Sequence, residues 1–131
     1  MEDKSAAVSK SDQVESLTSM KSTVRKLESA LSQMTESGAN TNLVKKRLHA
    51  VSAGLAVLEN AWEQKPHSYT PEDLAEASKV LQGLIPSVEN SYAKSKAGSP
   101  QRTLLERRLV ALHQAVQAIE DSSATQAADS D

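Results

Sequence analysis

Apolar residues recur along this chain at steps of three and four, the spacing that keeps them on one side of a helix. Leu17, Met20, Val24, Leu27, Leu31 and Met34 form one stripe, and Val44, Leu48, Val51, Leu55, Leu58 and Trp62 a second. Leu74, Ser78, Leu81, Ile85, Val88 and Tyr92 form a third, and Leu105, Leu109, Leu112, Val116 and Ile119 a fourth. The stripes are separated by Ser37-Gly38, by Lys65-Pro66-His67-Ser68-Tyr69 and by Gly98-Ser99, residue types that punctuate helices. Thr70-Pro71 and Ser99-Pro100 each offer a hydroxyl at N-cap and a proline at the first helical position, where its missing N–H costs nothing. Helices are expected over about 12–36, 41–64, 71–96 and 100–121, joined by short connections into an up-down-up-down four-helix bundle of two αα-hairpins. Gly83 and Pro86 predict a kink or break inside the third helix. Segments 1–10 and 122–131 lack apolar periodicity and read as disordered tails around a bundle at 11–121.

Displacing the chain by 61 residues lays the second pair of stripes on the first without a gap, Met20 on Leu81 and Val51 on Leu112 among others. Glu15/Glu76, Leu43/Leu104, Arg47/Arg108, Ala50/Ala111 and Glu59/Glu120 are identical across that offset. The hairpins therefore read as two copies of one unit, although heptad-like sequences match one another cheaply.

Composition fits an all-α chain: Gly 4, Pro 4, no Phe and hydrophobic residues at 38%, without the β-branched and aromatic excess of sheets. The absence of Cys excludes disulfides, thiolate metal sites and thiol catalysis. No run approaches a membrane span, and the first residues, MEDKSAAVSKSD, lack a basic-then-apolar leader, so a soluble intracellular protein is expected. A formal charge of −2 and a pI near 5.9 disfavour nucleic acid as a partner.

Chemistry is sparse. There is no nucleophile elbow, no phosphate-binding glycine loop and no Glu-x-x-His pair for a di-metal bundle, so no enzyme, cofactor or metal is expected. His49 invites comparison with phosphotransfer bundles, but Ala50-Val51-Ser52 follows it in place of that family's Lys and Gly. Thr70 and Ser99 precede proline and double as candidate phosphorylation sites, where phosphate would suit a helix N-terminus.

Charge is unevenly placed. In the expected fold both hairpin turns share one end, and Lys45, Lys46, Arg47, Lys94, Lys96, Arg102, Arg107 and Arg108 gather there. Cations early in the second and fourth helices oppose the macrodipole, so local helix stability does not account for them. They point to docking of a protein partner with an acidic surface. Rival readings are a phosphoregulated or phosphotransfer module, a self-assembling homodimer pairing hairpins between copies, and an RNA-associated regulator, the last disfavoured because no aromatic residue interleaves the basic cluster.

Lys45-Lys46-Arg47-Leu48, then Val51-Ser52, Leu55, Val57 and Leu58, a polar linker and Thr70-Pro71 resemble a helical domain found in the steroid receptor RNA activator protein and at the C-terminus of the COPII outer-coat subunit. The resemblance covers residues 27–85 and implies a non-enzymatic helical interaction domain, related to RNA-associated regulators or vesicle-coat subunits. It departs in the last third, where 103–121 has no aromatic residue.

Overall fold

The computed structural model describes residues 8–129, with side chains described through Ser122. It is an all-α four-helix bundle: α1 Lys10–Ser37, α2 Asn42–Glu63, α3 Pro71–Lys94 and α4 Pro100–Asp129, with no strand among the described residues. No helix of the described residues is long and apolar enough to cross a membrane.

The helix ends follow local chemistry. Gly38, at φ 77°, closes α1 in the left-handed conformation a Cβ disfavours, and its N–H returns to the carbonyls of Met34 and Thr35. Gln64 takes the same conformation, φ 57°, at the end of α2. The expected N-cap Thr70 is in place, part of a reciprocal capping box with Asp73. Helix α4 continues to Asp129, beyond the end of its apolar stripe at Ile119, because Ser-Ser-Ala-Thr-Gln-Ala-Ala contains no glycine or proline to stop it. Residues 1–7 and 130–131 of the expected tails lie outside the described residues. The expected break in α3 is absent: the helix runs through Gly83 and Pro86, both on its exposed side.

Each helix packs on its neighbours around the ring, and of the two diagonals α2 and α4 bring their backbones together whereas the α1 and α3 backbones stay farther apart. Small residues permit this diagonal. Ala50, Ala53 and Gly54 on α2 and Ala111 and Ala115 on α4 are all buried, so the backbones approach closely. A Cβ on Gly54 would lie 3.1 Å from both Leu81 and Met20 and 3.2 Å from Ala115. Leu17, Val51, Leu58, Leu74, Leu112 and Ile119 close the core around this point.

The repeat at offset 61 reappears in space. Met20 and Leu81 are counterparts, as are Gly54 and Ala115, and the four meet at the centre. Ser9 accepts from the Asp12 N–H at the start of α1 as Thr70 does from Asp73 at the start of α3. Glu15 pairs with Arg107 at 3.6 Å, and their counterparts Glu76 and Lys46 pair at 3.9 Å. Both ion pairs join the opening turns of helices in different hairpins, so α3 runs parallel to α2 and α4 parallel to α1, and the order is up-down-down-up in place of the expected up-down-up-down. The extended 64–70 linker makes this geometry: it runs back from the end of α2 until Tyr69 lies edge-on to His49, ring centroids 5.5 Å apart.

Two substitutions test this packing. Gly54→Val should destabilise the protein by about 1–3 kcal/mol through overpacking, lowering the urea midpoint. Gly83→Ala, whose Cβ meets nothing within 4 Å, should stabilise the protein by about 1 kcal/mol through helix propensity alone and raise the midpoint.

Candidate interaction surface

The eight basic residues expected at one end are divided by the structure. Lys45, Lys46 and Arg47 stand on the opening turns of α2, where Lys46 faces Glu76 of α3. Arg107 faces Glu15 of α1. The two basic stretches thus lie against acidic opening turns of the opposite hairpin, and charge alternates around the molecule instead of separating end to end. Arg102 serves the fold. Its guanidinium lies 4.1 Å from the Tyr92 ring centre and donates to the carbonyls of Tyr92 and Ser95, closing the end of α3. Lys94 and Lys96 are exposed beside that turn.

Thr70 and Ser99 are both engaged as caps. Thr70 Oγ1 accepts from the Asp73 N–H at 3.1 Å, and Ser99 Oγ accepts from the Arg102 N–H at 3.1 Å. His49 is exposed, with its ring against Tyr69. Trp62 is half-buried against the core. Among the described residues no group of three His, Asp or Glu is placed to hold a metal ion.

The feature that sequence patterning missed is the groove between α1 and α4. Four large hydrophobic residues are exposed among the described residues, and three of them line this groove: Val14 at 55%, Leu104 at 54% and Val110 at 45% relative exposure. The Glu15–Arg107 pair divides it into two adjoining cavities. One, of about 350 Å³, is lined by Asp12, Ser16, Glu106, Val110 and Gln114; the other, of about 310 Å³, by Val14, Ser22, Lys26, Leu104 and Arg108. Buried Ser16 donates to Gln114 across the floor. The usable signal lay in apolar residues outside the stripes, and in the identity of Leu43 and Leu104 across the repeat.

Arg108 is half-buried in the basic cavity, and its Nε has no hydrogen-bond partner among the described residues. Desolvation lowers the guanidinium pKa from its ordinary value, a sign that the charge here is incompletely compensated. Its repeat counterpart Arg47 stands exposed. No protein-family model, curated protein or solved structure matches the chain.

The capping box carries a pH signature. The Thr70 backbone N–H, donating at 3.1 Å, holds the Asp73 carboxyl below the usual carboxylate range, with the Thr70 hydroxyl and His49 acting in the same sense against partial desolvation. A depressed carboxylate contributes stability above its unfolded pKa and loses it as pH falls through the folded value. Asp73→Asn should therefore flatten the stability loss below about pH 4, read as urea midpoints across that range.

Proposed function

We propose that this chain is a non-catalytic helical interaction module, an adaptor or assembly domain that docks an acidic segment of a protein partner in the α1–α4 groove. The carrying observation is that exposed Val14 and Leu104 line one cavity with the half-buried Arg108, and exposed Val110 lines the cavity adjoining it. Exposed hydrophobic residues scattered singly need no explanation, whereas a contiguous set rimmed by polar groups marks a contact surface. The Nε itself is out of a partner's reach, but the rest of the half-buried guanidinium lines the cavity, and its planar fork is suited to donate to an incoming carboxylate. Lys26 of α1 and Arg107 of α4 line the same cavity. Lys45, Arg47, Lys94 and Lys96 supply longer-range attraction that speeds encounter and weakens with salt. The resemblance over residues 27–85 supports the interaction-domain part of this reading and does not reach the groove.

The test is a titration of ¹⁵N-labelled protein with acetyl-Glu-Asp-Glu-Asp-amide at low ionic strength. Amide shifts should concentrate at Lys26, Leu104, Arg107 and Arg108, and Lys26→Glu with Arg108→Gln should weaken binding about tenfold, roughly the 1.4 kcal/mol that charge-assisted bonds supply. Shifts spread evenly over all basic residues, or binding indifferent to the double variant, would overturn the reading.

A further inference from the structure

The repeat supplies an internal comparison for the groove. At the junction of α2 and α3, the place equivalent to Val110 is His49, and the chain's own extended linker lays Tyr69 against it. Tyr69 is half-buried and packs against the core. At the junction of α1 and α4, the residue equivalent to Tyr69 is Val8, a much smaller side chain. Val8 does not line the cavity there and lies outside the core cluster. The surroundings correspond in part: Asp12 matches Asp73 and Glu15–Arg107 matches Glu76–Lys46, while Ser16, Gln114 and Glu106 stand where the filled junction has Ala77, Ala53 and Lys45. One junction holds an aromatic ring from an extended segment; the other has the matching shelf and about 350 Å³ of open space.

We infer that this cavity receives an aromatic side chain bearing a polar hydrogen, a tyrosine or tryptophan, from an extended segment of the partner whose neighbouring acidic residues reach Lys26 and Arg108. The inference rests on the docking reading above and names the partner's chemistry. The ring covers Val110, which at 45% exposure offers apolar surface where the other junction has an imidazole. The rim explains why the ring carries a donor. Asp12 and Glu106 present carboxylates around the cavity mouth, which accept a hydroxyl or indole hydrogen and repel an acidic side chain. The positive wall lies in the adjoining cavity, beyond the Glu15–Arg107 pair. The groove therefore asks for two chemistries side by side: a ring with a donor over Val110 and carboxylates over Leu104.

Acetyl-Ser-Tyr-Glu-Asp-Glu-amide and its Tyr→Ala and Tyr→Phe counterparts, titrated into ¹⁵N-labelled protein, separate the two halves of this proposal. The tyrosine peptide should bind about tenfold more tightly than the alanine peptide, the phenylalanine peptide falling between, in keeping with one buried aromatic contact. Additional shifts should appear at Ser16, Val110 and Gln114. Val110→Lys, at an exposed position and checked for retained helical circular dichroism, should abolish the tyrosine advantage. Val110→His, the residue of the filled junction, should keep it. Equal binding of the tyrosine and alanine peptides, with shifts only around Lys26 and Arg108, would overturn the aromatic inference and leave acidic docking intact. No shift in the groove with any peptide would overturn both.

Discussion

The close approach of α2 and α4 at Gly54 and Ala115 is the contact on which the rest of the structure depends. Two αα-hairpins with larger side chains at these positions would be held apart, and the diagonal contact would be lost. With hydrogen and methyl facing each other, Met20 and Leu81 converge on the same point from α1 and α3. The stripes then need to cover only what the diagonal leaves open. Towards the α1–α2 turn Leu31, Met34 and Leu48, and towards the α3–α4 turn Tyr92 and Leu109, are only half-buried, with Val44 and Leu105 closing the core there, while Met20 and Leu81 are sealed. Burial is concentrated where the hairpins meet, and the turn ends rely on their own pairing.

A repeat packed about such a centre makes two equivalent junctions, and the differences between them identify the surface. At the α2–α3 junction Ala53 and Ala77 are both fully buried, and Tyr69 of the linker lies against His49. At the α1–α4 junction their counterparts are Gln114 and Ser16, which hydrogen-bond across the groove floor. A buried polar pair is tolerated only when its partners are satisfied, and its neighbours Val14, Leu104 and Val110 gain nothing from the fold by standing in water. The conserved elements of the repeat build the bundle. Among its departures from symmetry, Ser16, Gln114 and Val110 fall together on this groove.

Much of the architecture was legible in the spacing of apolar residues: four helices, their breakers, the caps at Thr70 and Ser99, and the offset that pairs the hairpins. The second buried face of α2 was not, because Ala50, Ala53 and Gly54 carry little hydrophobicity and register on no stripe. Their importance comes from what they lack. The groove was hidden for the opposite reason. Val14, Leu104 and Val110 are apolar, but nothing along a single helix tells an uncovered off-stripe residue from one that a neighbouring helix covers. The expected gathering of charge failed because helix order along the chain does not specify how hairpins align. The return of the 64–70 linker along α2 brings the acidic start of α3 to the basic start of α2.

That alignment resolves why cations stand in the opening turns of α2 and α4, where the helix macrodipole favours carboxylates. Lys46 and Arg107 have their counter-charges in the opposite hairpin, on Glu76 and Glu15. All four side chains are about half exposed, and ion pairs of that kind contribute little net stability, on the order of 0–1 kcal/mol. Their value lies in discrimination. A hairpin docked the other way round would set Lys46 beside the cations of the second turn and leave the Glu15 and Glu76 carboxylates without partners, while the apolar stripes would fill almost as well. Hydrophobic burial thus favours a bundle in general, the Gly54–Ala115 contact sets how closely the hairpins approach, and the paired charges select their relative direction. Of the basic residues on the opening turns of α4, Arg107 is used in that selection and Arg108 is not. Arg108 keeps a half-buried guanidinium whose Nε is sealed from solvent without a partner, and the remainder of the side chain, which lines the groove, is left to meet a partner's carboxylate.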